Sequence, residues 1–150
     1  QVQSSSADLP ILSANGVATD VDLNVTPKGN GAVVLGKVAF SSRLIETAST
    51  DSDTDEDTII YVDFSNTNRT IKLDDGTIDG EWKIVHNKTT GTSIVTIASN
   101  TSQGITLPGQ AAGTHTVTLG KNDVAQFTWD NVDQTWRFIG GADSASSLLI

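Results

Sequence analysis

A chain of 150 residues accommodates one domain with an arm and is too short for two full cores. Its net charge is −9, with only 9 Lys plus Arg that do not cluster, which argues against a phosphate-binding surface and so against nucleic acid as a partner. No run of about 18 apolar residues exists, so membrane insertion by a helix is not expected.

Thr, Ser, Asn, Asp and Gly dominate, with Val and Ile among the apolar residues. This favours strands over helices. Cysteine is absent, so no disulfide staples the fold, which fits assembly in a reducing compartment. Methionine is also absent, and the numbering is expected to begin after processing or inside a longer chain. The opening Gln-Val-Gln-Ser-Ser-Ser has no charged region followed by an apolar one, so no signal peptide is expected.

Residues 1–19 read as an extended arm with one apolar handle, Pro10-Ile11-Leu12. In residues 20–25, Val21, Leu23 and Val25 alternate with Asp20, Asp22 and Asn24, the pattern of a half-buried strand. Pro27, Gly29 and Gly31 then force a turn, and Ala32, Val33, Val34 and Leu35 restart an apolar strand. This arm, residues 1–45, is too poor in large apolar groups to form its own core. Two strands alone are not a stable unit, so Val21, Leu23, Val25, Val33, Val34 and Leu35 are the expected assembly residues.

Residues 46–57 form an acidic, low-complexity linker. Asp51, Asp53, Asp55, Glu56 and Asp57 have a superficial likeness to a calcium loop. An EF-hand needs Gly at its sixth position and Glu at its twelfth, where this chain has Glu56 and Val62. A solvated, self-repelling segment is the expectation, and no metal is assigned.

Residues 58–143 carry short strand patterns at the regular spacing of sandwiches and barrels. They are predicted over residues 58–64, 70–73, 81–86, 93–98, 104–107, 115–119, 124–129 and 135–139. The dipeptides Asp75-Gly76 and Asp79-Gly80 mark turns. The predicted fold is all-β: an extended N-terminal β arm, then a jelly-roll-like antiparallel β-sandwich. Residues 144–150 form a tail that ends in Leu148, Leu149 and Ile150.

Signals for catalysis are sparse. No nucleophile elbow, phosphate loop or paired-histidine zinc helix occurs. His86 and His115 have no further ligands at zinc spacing. Asp74, Asp75 and Asp79 form the densest carboxylate group, but they sit in turns that favour Asp for local hydrogen bonding. The chain is therefore read as a non-enzyme without a cofactor. Asn24, Asn68, Asn87 and Asn100 start Asn-x-Ser/Thr triplets, which a Thr-rich composition produces by itself.

Trp82, Trp129 and Trp136 fall on three separate predicted strands. An exposed Trp on a sheet is a device for stacking on sugars. Here Trp82 is in phase with Ile84, Trp129 with Phe127, and Trp136 with Phe138, so all three are expected in the core, with glycan contact as the alternative.

The strand, Thr-Pro-Lys-Gly-x-Gly turn and strand of residues 20–36 resembles a segment that recurs in virion proteins of tailed bacteriophages, both in tail fibres and in short proteins of the capsid exterior. Residues 73–86, with residues 123–130 and 135–140, are similar to the terminal β-domain of many such proteins. The resemblance implies a homotrimer on the outer surface of a virion, as a capsid decoration protein, head fibre or tail-fibre module. Its partners would be the major capsid protein or another virion protein. The alternative is a carbohydrate-binding module, or a receptor-binding fibre tip that meets a host-surface glycan. A glycan-cleaving enzyme ranks third.

Overall fold

The computed structural model describes residues 25–36, 38–46, 57–100, 104–111 and 113–141. Val21, Leu23, most of the acidic run and the C-terminal tail lie outside the described residues. Two units are distinguished, residues 1–38 and residues 39–150.

In the first unit the expected turn is formed. Gly31 N–H donates to the Lys28 carbonyl at 3.1 Å. Gly29 takes φ +62°, a left-handed conformation that glycine adopts without a Cβ penalty. The strand expected over residues 32–35 is not found within this chain. Val33 is 46% exposed, Val34 88% and Leu35 66%, and among the described residues no strand pairs with them.

The second unit is all-β among the described residues, with ten strands. They are β1 (Ser42–Ile45), β2 (Ile59–Val62), β3 (Arg69–Leu73), β4 (Trp82–Asn87) and β5 (Val95–Ser99), then β6 (Gly104–Thr106), β7 (Gly113–Thr114), β8 (Val117–Leu119), β9 (Val124–Asp130) and β10 (Thr135–Gly141). All eight predicted strands are present, with shifted ends. β1 and the two-residue β7 add to them.

The strands form a seven-stranded sheet, ordered β1-β2-β4-β9-β10-β6-β7, and a three-stranded sheet, ordered β3-β5-β8. The expected antiparallel order is corrected. β1–β2, β2–β4, β3–β5, β6–β10 and β6–β7 are parallel pairs, and only β4–β9, β9–β10 and β5–β8 are antiparallel. Parallel neighbours need a crossover, and a helix is the usual one. Here the crossover is a strand of the opposite sheet: β3 lies between β2 and β4 in sequence, and β4 lies between β3 and β5. Ile45 of β1 is buried beside Val62, so β1 belongs to the sandwich.

One apolar cluster fills the space between the sheets. The small sheet contributes Ile71, Leu73, Val95, Ile97, Val117 and Leu119. The large sheet contributes Ile60, Val62, Val85, Ile105, Phe127, Trp129, Trp136 and Phe138. Trp129 and Trp136 are directly paired across β9–β10, with ring centroids 5.3 Å apart. The Trp136 indole N–H donates to the Asp74 carbonyl at 2.7 Å. Gly76 lies against this pair so closely that a Cβ there would stand 2.3 Å from Trp129 Cγ.

At the other end of β4, Asn87 is fully buried. Its amide Nδ2 donates to the carbonyls of Ser93 (3.0 Å) and Leu119 (3.1 Å), and its Oδ1 accepts from Thr89 N–H (3.1 Å). A strand of the large sheet is thus tied to the approach to β5 and to the end of β8 in the small one. The Asn87 triplet is therefore structural in use: an amide with three satisfied bonds in the interior.

Asn87→Ala deletes those bonds and strands two buried carbonyls. We expect it to cost roughly 2–4 kcal/mol in chemical denaturation, with the strand content retained in circular dichroism. Truncation tests the place of β1. A chain of residues 39–150 is expected to melt close to the full protein. A chain of residues 47–150 is expected to melt lower, because it loses Ile45 and bares the β2 edge.

Candidate functional site

β4 places its side chains on two faces, and their polarity inverts the sequence pattern. Lys83, Val85 and Asn87 face the core, while Trp82, Ile84 and His86 face outward. The expectation that Trp82 is a core residue is therefore corrected: it is 48% exposed, whereas Trp129 is 1% and Trp136 0% exposed. Lys83 is buried, and its inward position is tolerated because its ammonium is bonded within the protein. Lys83 Nζ donates to the Asp57 carbonyl at 2.8 Å and stands 3.8 Å from Glu81 Oε1.

Register pairs define the outer face, since paired residues share a face. Trp82 (β4) pairs with Thr128 (β9), Thr128 with Arg137 (β10), and Arg137 with Thr106 (β6). With strands ~4.8 Å apart, this four-residue row extends about 14 Å across the sheet. Directly beneath it on the inner face run Trp129, Trp136 and Ile105, all buried. The row therefore rests on buried core side chains, a tryptophan pair among them.

At the far end of the row lies a recess of about 280 Å³, lined by Thr106, Leu107, Pro108, Gln110, Arg137 and Ile139. Ile139 follows Arg137 on the outer face, beside a register shift between Phe138 and Gly140, and is 47% exposed.

Arg137 is held by two carboxylates. Its Nε donates to Asp130 Oδ2 at 2.6 Å, and a terminal guanidinium nitrogen donates to Asp133 Oδ2 at 2.5 Å. The backbone N–H of Asp133 and the Arg137 side chain keep the Asp130 carboxyl below its ordinary range. The Asp133 and Val132 amides both donate to Asp130 Oδ1, at 3.0 and 2.9 Å, so Asp130 also closes the β9–β10 turn. The guanidinium is thus oriented and charge-balanced.

The other half of the outer face is apolar. Leu44, Tyr61, His86 and Val124 form one register row, with Ile59 and Ile84 in the next. His86 packs on Tyr61 with ring centroids 5.8 Å apart. Lys88 Nζ stands 4.7 Å from the centre of the same Tyr61 ring. His115 lies elsewhere, with Nε2 3.0 Å from the Ala111 carbonyl.

The turn aspartates act as acceptors. Asp79 Oδ1 accepts from Asn131 N–H at 3.1 Å, and Asp74 Oδ1 accepts from the Asn100 side chain. No group of three or more His, Asp or Glu able to hold a metal occurs among the described residues. No described helix is long and apolar enough to cross a membrane.

No protein-family model matches the chain, and the curated proteins contain no significantly similar sequence.

The His86 environment has a pH consequence. Burial first, and the Lys88 charge second, push its pKa below the ordinary value. The unfolded chain titrates near ~6.5 and so binds this proton more readily than the folded chain. The contribution of the neutral ring is complete above that value and is lost as pH falls below it. We expect the melting temperature to fall between about pH 7.5 and pH 5, and His86→Gln to flatten that part of the profile.

Proposed function

We propose that this protein is a structural and attachment module on the outer surface of a tailed-phage virion. It assembles as a homotrimer and is seated on the major capsid protein or another virion protein. The single observation that carries the reading is the segment of residues 25–36. Its Thr-Pro-Lys-Gly turn is formed, yet Val34 and Leu35 are 88% and 66% exposed within their own chain. Exposed apolar side chains on a segment that pairs with no described strand invite strand addition by a neighbouring chain. Burial at about 25 cal/mol per Å² would then drive association.

The all-β, two-sheet architecture supports a display domain, with five of its eight strand pairs parallel where a jelly roll is antiparallel. A second reading, carbohydrate attachment, is favoured by one specific observation, the outward position of Trp82.

Light scattering of the full chain is expected to give the trimer mass. Val34→Asp with Leu35→Asp is expected to shift the protein to monomer, while its melting curve keeps the sandwich transition. A stable monomer of the unaltered chain would overturn the assembly reading.

A further inference from the structure

We propose that the row Trp82–Thr128–Arg137–Thr106, with the recess at its Thr106 end, is a binding site for a neutral oligosaccharide. The site deepens the attachment part of the proposed function, giving it a location and a ligand class.

Three observations combine. First, Trp82 is the single exposed indole of the three, and it opens the row beside Thr128. An aromatic face carries negative charge density and attracts the polarised C–H edge of a pyranose, while the flat ring excludes water from that side. Second, the residues that follow are hydroxyl and guanidinium groups in fixed positions. Arg137 is aligned by Asp130 and Asp133, and Thr106 Oγ1 is 3.1 Å from Thr135 Oγ1, whose hydroxyl donates to the Gly104 carbonyl at 2.9 Å. Sugar hydroxyls both donate and accept, so a paired Arg and carboxylate offers each kind of partner. Third, the row ends in the shallow, open recess with Gln110 and Pro108 at its wall, which extends the contact surface beyond Thr106.

Charge selects the ligand class. Arg137 carries the single positive charge of the row, and two carboxylates already balance it. The chain as a whole is at −9. An anionic glycan would meet repulsion with no unbalanced cation to offset it, whereas a neutral glycan would not. The row of about 14 Å suits a short extended oligosaccharide lying across the strands better than a single sugar.

The experiment uses the full chain on an array of neutral and anionic oligosaccharides, followed by titration of the best binder with tryptophan fluorescence as the readout. Trp129 and Trp136 are buried, so a change in emission reports Trp82. The expected result is binding confined to neutral glycans, with an emission change on saturation. Trp82→Ala is expected to weaken binding by roughly tenfold or more at unchanged melting temperature, since a half-exposed anchor contributes to binding rather than to the core. Thr106→Val is expected to weaken it less. No binding to any arrayed glycan, binding restricted to anionic glycans, or binding that survives Trp82→Ala would each overturn the proposal. Light scattering reads assembly independently, so loss of the glycan site and loss of the trimer are separable outcomes.

Discussion

The buried amide of Asn87 is the constraint on which the two-sheet arrangement rests. Apolar contact between sheets is non-directional and permits sliding. An interior amide that must satisfy three bonds does not. Asn87 accepts from Thr89 and donates to Ser93 and Leu119, so β4 is fixed against the approach to β5 and the end of β8. Its backbone joins the same lock: Asn87 N–H donates to the Asp123 carbonyl at 3.0 Å, and Asn122 N–H donates to the Asn87 carbonyl at 2.8 Å. Around it, Ser93 Oγ donates to the Phe64 carbonyl, and Asp123 Oδ2 accepts from Gly120 N–H at 2.8 Å. Gly91 fits only because it lacks a side chain, as a Cβ would stand 1.5 Å from the Ser65 carbonyl oxygen. One end of the sandwich is therefore closed by a polar network centred on Asn87.

The start of β4 meets a different kind of constraint. There the core is aromatic, with Trp129 and Trp136 paired, an indole N–H bonded to a turn carbonyl, and Gly76 packed against the rings. Because Asn87 sets the register of β4 from one end and the tryptophan pair backs it from the other, the outward row that begins at Trp82 is held on both sides. A recognition surface needs this pre-organisation, since mobile side chains lose binding energy to ordering.

The two halves of the outer face suit different tasks. Trp82, Thr128, Arg137 and Thr106 combine an aromatic platform with oriented polar groups. Leu44, Ile59, Tyr61, Ile84 and Val124 form a plainer apolar surface closer to the β1 edge. The exposed apolar residues of the first unit, Val33, Val34 and Leu35, are a third surface. The surfaces proposed for attachment and for assembly thus use different residues, so changes at one need not disturb the other.

Much of the secondary structure was legible in the sequence, because strand formation leaves a period of two and turns leave Gly, Pro and Asp. The eight strands between residues 58 and 140 and the turn at Lys28 to Gly31 follow from those signals alone. Strand direction did not, since alternation is the same in parallel and antiparallel pairs. The weave of β2, β3 and β4 between sheets exists only in three dimensions. The outward position of Trp82 was hidden for a related reason. On β4 the apolar phase, Trp82 and Ile84, is the solvent face, and the core phase contains Lys83 and Asn87. Hydrophobicity ranks a Lys and an Asn as surface residues. Only the tertiary structure supplies the Asp57 carbonyl that accepts from the buried lysine ammonium, and the Ser93 and Leu119 carbonyls that make a buried amide stable. Composition by itself determined that this chain is built of strands. Long-range hydrogen bonds decided which face of β4 is the core and left one tryptophan exposed on the other.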